Sequence, residues 1–161
     1  MTYDLVLADG HLIDPARGID GPADIAFKDG KVAAVGSDLA RADAREIRSA
    51  AGFHVVPGLI DLHAHVYWGG TYFGVDADMV ARGSGMTTAV DAGSAGAGNM
   101  RGLIELVGTR TAVRILAFVN LAFPGIFSDS HRLAVGEAED LRLLDIRYCV
   151  EAVKRWREHV V

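Results

Sequence analysis

Two kinds of hydrophobic patterning meet near Gly52. Before it, short apolar runs are separated by Asp-Gly pairs. Tyr3-Asp4-Leu5-Val6-Leu7 leads into Asp9-Gly10, and Asp29-Gly30 joins Ile25-Ala26-Phe27 to Lys31-Val32-Ala33-Ala34-Val35. Asp-Gly tolerates the positive φ angles of tight hairpin turns, so the spacing predicts a small antiparallel sheet. Pro15, Gly18, Gly21 and Pro22 punctuate the loop between the two runs. The polar stretch 38–50, with Arg41, Arg45, Glu46 and Arg48, reads as a surface loop or short strand. A sheet of this size has an apolar face that needs a partner layer.

After Gly52 strands alternate with helices, the pattern of βα units around a parallel sheet. Strands are predicted near 59–65, 86–91 and 113–119, the last apolar except for Arg114 and of the kind buried on both faces. A helix is expected from about Val75 to Arg82, stopped by Gly83 and Gly85, and another from Asn99 to Val107, with Asn99 as its cap. Leu121 to Gly136 reads as a long loop. Leu141, Leu144, Tyr148, Cys149, Ala152, Val153 and Trp156 recur at spacings of three and four and predict a final amphipathic helix with Glu151–Arg155 and Lys154–Glu158 pairs. Val160-Val161 then reads as the opening of a fourth strand.

Composition narrows the classes of function. Half of the 161 residues are hydrophobic, which excludes global disorder. The net charge is -5 and the basic residues form no dense block, so no nucleic-acid partner is expected. The one cysteine, Cys149, reads as a small core residue. The first twenty residues carry Asp4, Asp9, Asp14 and Asp20 and no long apolar run, which predicts neither leader nor membrane span and a cytoplasmic protein.

The sharpest chemistry lies in Asp61-Leu62-His63-Ala64-His65, at the end of the strand after Pro57-Gly58. Alternation along a strand puts Asp61, His63 and His65 on one face. Two imidazoles about 6.6 Å apart along a strand can converge on one divalent ion. Ordinary structural histidines are the alternative. Asp61 either orients one of the rings through its N–H or bonds nearby backbone. Asp91 ends the next strand and Asn120 the one after, so both are candidates to support the site or touch substrate. The turn Gly93-Ser94-Ala95-Gly96-Ala97-Gly98 matches no nucleotide-binding spacing and reads as a tight loop beside a substrate. Tyr67 and Trp68 wall a pocket or simply pack. His11, His54 and His131 read as non-functional.

The run Val56-Pro57-Gly58-Leu59-Ile60-Asp61-Leu62-His63-Ala64-His65, followed by Gly85-Met86-Thr87-Thr88 and Asp91-Ala92-Gly93-Ser94, resembles the amidohydrolase superfamily of metal-dependent hydrolases. Asp91 to Ala97 is most similar to its dihydroorotase-like deacetylase or amidohydrolase branch. The resemblance implies an α/β fold. An N-terminal β-sandwich portion over 1–52 would precede the first three βα units of a (β/α)8 TIM-like barrel over 53–161, truncated before strand four. It also implies one or two divalent ions, zinc above all, with His63 and His65 as ligands of the more buried one. The other ligands and the general base of that family find no match here.

Two functions follow as expectations. One is hydrolysis of an amide, cyclic amide or acetyl ester of a small molecule by metal-activated water, the chain by itself being inactive. The other is a truncated or split non-catalytic module that assembles with a missing barrel half, or self-associates through exposed sheet edges.

Overall fold

The computed structural model describes residues 3–37, 39, 41–129, 134–136 and 140–161. His131 lies outside them. The chain forms two compact units, Met1–Pro57 and Gly58–Val161.

The first unit is a five-stranded sheet of β1 (Tyr3–Asp14), β2 (Ile19–Lys28), β3 (Lys31–Gly36), β4 (Ala44–Ser49) and β5 (His54–Val55). Its order is β3-β2-β1-β4, with β5 also on β1. Asp29-Gly30 makes the expected hairpin, both residues at positive φ (51° and 71°), between the paired Lys28 and Lys31. Asp9-Gly10 does not turn the chain. Asp9 takes φ 64° and the β1–β2 register shifts between Leu7 and Gly10, so the same left-handed tendency makes a bulge inside one long strand. The chain reverses instead at 15–18. The polar stretch contributes β4, which with β5 runs parallel to β1, so the sheet is mixed rather than purely antiparallel. His54–Val55 on β1 carries this unit past Gly52 to Pro57. Val6, Ala8 and Ala26 form its small core.

Asp24 is the buried acid of this unit, with a relative exposure of 2%. It accepts from Arg41 Nε at 2.6 Å, from Arg41 Nη2 at 2.8 Å and from the Asp9 N–H at 2.9 Å. Burial by itself would raise its pKa, but the Arg41 guanidinium and the Asp9 N–H hold it below the usual carboxylate value of 3.8. A lowered folded-state pKa gives stability that is present above the unfolded value and lost as pH falls through the folded one. Acid unfolding of this unit should therefore set in below pH 3.8. Arg41→Ala should move its midpoint to higher pH, which circular dichroism along an acid titration will show. An unmoved midpoint would mean that the pair contributes nothing to folding.

The second unit holds the three parallel strands β6 (Leu59–Ala64), β7 (Met86–Asp91) and β8 (Arg114–Ala117), in that order and close to the expected positions. Between β6 and β7 lies α1 (Ala77–Ser84). The Asp76 carboxylate caps its Asp78 and Met79 N–H groups, and Gly85 ends it at φ 71°. Asp78 in its first turn accepts from the Thr111 hydroxyl at 2.6 Å and the Ala112 N–H at 2.9 Å, anchoring the approach to β8. Between β7 and β8 the chain is helical, in the wider π register over Gly102–Gly108. Asn99 does not cap it. Its side chain binds the Gly96 N–H and the Pro124 carbonyl, and so ties the glycine-rich turn to the following loop.

Two expectations for the last third are corrected. The supposed long loop contains the paired strands β9 (Ile126–Asp129) and β10 (Ala134–Gly136). The final helix is broken at Leu144, whose backbone is extended. A 3-10 turn at Leu141–Leu143 precedes it, and Asp145 caps α2 (Ile146–Arg155). The pair formed on α2 is Arg147–Glu151 at 3.3 Å. Trp156 packs against the core of this unit, made by Val66, Met100, Leu103, Ile115 and their neighbours, whereas Leu141 and Tyr148 are exposed. Val160 makes a parallel bridge to Ala117, the position predicted for a fourth strand. No helix among the described residues is long and apolar enough to cross a membrane.

Candidate functional site

The two histidines stand where β6 ends. Strand pairing puts Asp61 opposite Ala89 and Ala64 opposite Asp91, so β6 holds one residue more than β7 across this span and bulges. Strict alternation from Asp61 to His65 therefore fails. The Asp61 carboxylate accepts from the His63 backbone N–H at 3.0 Å, which stabilises the bulge and keeps it on the main chain instead of a ring. The rings of His63 and His65 nevertheless lie side by side, their centres 5.5 Å apart and their planes at 78°.

The environments of the two rings differ. His63 is exposed, and its ring nitrogens make no hydrogen bond among the described residues. His65 is half-buried, with Nδ1 2.9 Å from the Ser94 hydroxyl and the Phe73 ring nearly perpendicular to it, their centres 4.7 Å apart.

Beneath them lies Asp91, fully buried at the end of β7. One carboxylate oxygen accepts from the Val66 N–H at 2.9 Å and the other from the Ser94 N–H at 2.7 Å. Asn120 spans a turn, donating to the Gly93 carbonyl at 3.0 Å and accepting from the Ala122 N–H at 2.9 Å. The amides of Ser94, Gly96 and Gly98 are taken by Asp91, Asn99 and the Phe123 carbonyl. Gly96 and Gly125 approach each other's backbone so closely that a side chain on either would clash. Tyr67 is buried and donates to the Asn99 carbonyl at 3.0 Å, a packing role, while Trp68 is exposed. Strand and turn ends thus bring His63, His65, Ser94 and Asp91 together. Asp61, through one carboxylate oxygen, and Asn120, through both its polar atoms, bond to backbone.

Ser94 lies within the Asp91-Ala92-Gly93-Ser94 motif but carries no role of its own in the sequence pattern. The signal was available: a hydroxyl in the turn that closes the strand next to the histidines.

The donor set suits a divalent ion of borderline softness. Two imidazoles sharing a tetrahedral ion at about 2.0–2.1 Å have ring centres roughly 5 Å apart. The observed spacing is close to that, and with Nδ1 engaged by Ser94 the nitrogen of His65 left for an ion is Nε2. Among the described residues no group of three or more His, Cys, Asp or Glu is arranged to hold a metal, and the pair offers two imidazoles where a catalytic zinc site normally has three protein ligands.

Known proteins resemble the chain in sequence and in fold. A deacetylase of Agrobacterium fabrum is 39% identical over 134 residues, 83% of this chain and 32% of the deacetylase. A deacetylase of Brucella anthropi is 35% identical over 135 residues, 83% of this chain and 33% of its own. The crystal structure of a dihydroorotase superposes with a TM-score of 0.77 at 30% identity, covering 98% of this chain and 41% of that one. No protein-family model matches. The chain belongs to the amidohydrolase superfamily, matching the N-terminal part of its relatives. It spans about a third of the curated relatives it matches, 32% and 33%.

Proposed function

We propose that the chain is the metal-binding N-terminal portion of a hydrolase that cleaves an amide, cyclic amide or acetyl ester of a small molecule in the cytoplasm. The observation that carries this reading is the pair of adjacent imidazoles at the carboxyl end of β6, in a chain related to deacetylases. In this reading β6, β7 and β8 are the first three strands of a (β/α)8 barrel, and ligands collect at the carboxyl ends of such strands. A bound zinc ion would supply Lewis acidity and a water of lowered pKa.

The residues of this chain do the holding. His63 and His65 provide nitrogen ligands, Ser94 and Asp91 fix the more buried ring, and Asp61 shapes the bulge that presents His63. No residue of the chain is assigned to proton transfer, and the isolated chain is expected not to turn over acetyl esters or cyclic amides.

A second reading, a module that assembles with the remainder of a barrel, draws on the exposed apolar side chains of β6: Leu59, Ile60 and Leu62.

Zinc titration by calorimetry tests the first reading. The wild-type chain should bind one zinc ion, and His63→Ala or His65→Ala should weaken binding by about tenfold or more, since each removes one of two nitrogen ligands. Equal binding by wild type and both variants would dismiss the pair as a metal site. Turnover that disappears in His63→Ala would overturn the expected inactivity of the isolated chain.

A further inference from the structure

The contact between Ser94 and His65 is unusually well supported. Ser94 is fully buried, and its main chain is held on both sides. Its N–H donates to Asp91, and its carbonyl accepts from the Ile126 N–H at 3.0 Å. The second Asp91 oxygen holds the N–H of Val66, the residue after His65. One buried carboxylate therefore fixes the backbone on both sides of the contact. Phe73 abuts the same ring.

A neutral imidazole has one N–H and one lone pair, and the partner of either nitrogen decides which is which. A carboxylate in this place accepts only and would lock a proton onto Nδ1 permanently. A hydroxyl both donates and accepts. In the metal-free chain the Ser94 O–H has no other acceptor among the described residues, so donation to Nδ1 satisfies it. When Nε2 is engaged as a ligand, the hydroxyl rotates and accepts from Nδ1–H.

Building on the metal reading above, we propose that Ser94 is the positioning residue of His65. It holds the ring by Nδ1 in both states and dedicates Nε2 to the ion, with Asp91 fixing Ser94 in place. Partners of this kind behind a histidine ligand change metal affinity by about 10–100-fold.

The test uses the 161-residue chain with ¹⁵N-labelled histidine, as wild type and Ser94→Ala, at pH 8. Without metal, the His65 Nδ1 resonance of the wild type should show the shift of a hydrogen-bonded nitrogen, and in Ser94→Ala that of a free one. With zinc, the wild type should show an Nδ1–H proton protected from exchange. Ser94→Ala should lose that protection and bind zinc about tenfold more weakly. Ser94→Thr, which keeps the hydroxyl, should restore both.

A Ser94→Ala chain with unchanged Nδ1 shift and zinc affinity would overturn the proposal. If the wild type binds no zinc, the metal reading fails, yet the metal-free shift still decides the Ser94 contact. If Ser94→Ala does not fold, the wild-type spectrum alone suffices, because a free-nitrogen shift at Nδ1 would overturn it.

Discussion

Asp91→Ala should destabilise the second unit by about 3 kcal/mol or more, because it strands two buried N–H donors at about 1–3 kcal/mol each and removes charge-assisted bonds. The donors are those of Val66 and Ser94, and they belong to the two segments that carry the candidate site. Among the described residues neither has another partner. Val66 is itself buried and the turn around Ser94 is closed by Asn120 and Ile126, so water has no ready access. Asp91→Asn should be nearly as harmful. It keeps the size of the side chain but sets an amide NH2 against one of two N–H groups that need an acceptor. Urea unfolding followed by circular dichroism measures both losses. A loss below about 1 kcal/mol for Asp91→Ala would show that water replaces the carboxylate, and that the turn is softer than its hydrogen bonds imply. Zinc binding should fall together with stability in these variants.

The contrast between Asp91 and Asp61 shows what could be read from the sequence. Both are aspartates near strand ends, and alternation assigned Asp61 to the face of the histidines. The parallel strands themselves were legible, because short strand-forming runs that alternate with helical spacings have few other solutions. So was the pairing of His63 with His65, which stand two residues apart. The bulge between Asp61 and Ala64 was not legible, since an extra residue in one strand is defined only by the register of its neighbour. The same limit explains Asp9-Gly10. Its left-handed preference was readable, but whether that preference makes a turn or a bulge depends on β2 lying alongside. The break at Leu144 was hidden because the apolar spacing continues through it, while Asp145 starts a new helix by capping the Tyr148 N–H at 3.0 Å. Ser94 was missed for another reason. Its place in the turn after β7 was legible, but its partner 29 positions away is identified only when the fold brings the two together.

The chain should self-associate through β6, and Leu62→Lys combined with Ile60→Lys should weaken that association by tenfold or more. Strand order β6-β7-β8 leaves β6 at an end of its sheet, with Leu59, Ile60 and Leu62 at 52%, 60% and 71% exposure. An exposed apolar edge is a template for pairing, and natural proteins blunt such edges with lysine. Burying a Leu or Ile side chain is worth about 1.5–3 kcal/mol, so covering even one of them in a dimer corresponds to tenfold or more in affinity. Asp61 does not protect the edge, because its carboxylate is turned to the His63 N–H. The lysine substitutions touch neither imidazole and neither Asp91 bond, so a chain that has become monomeric should keep its zinc affinity. Sedimentation velocity over a range of concentrations will measure the association, with circular dichroism to establish that the variant is folded. A wild-type chain that stays monomeric throughout would sink this expectation. Self-association unaffected by the two lysines would place the contact elsewhere, with the exposed Leu141 and Tyr148 as the next surface to vary.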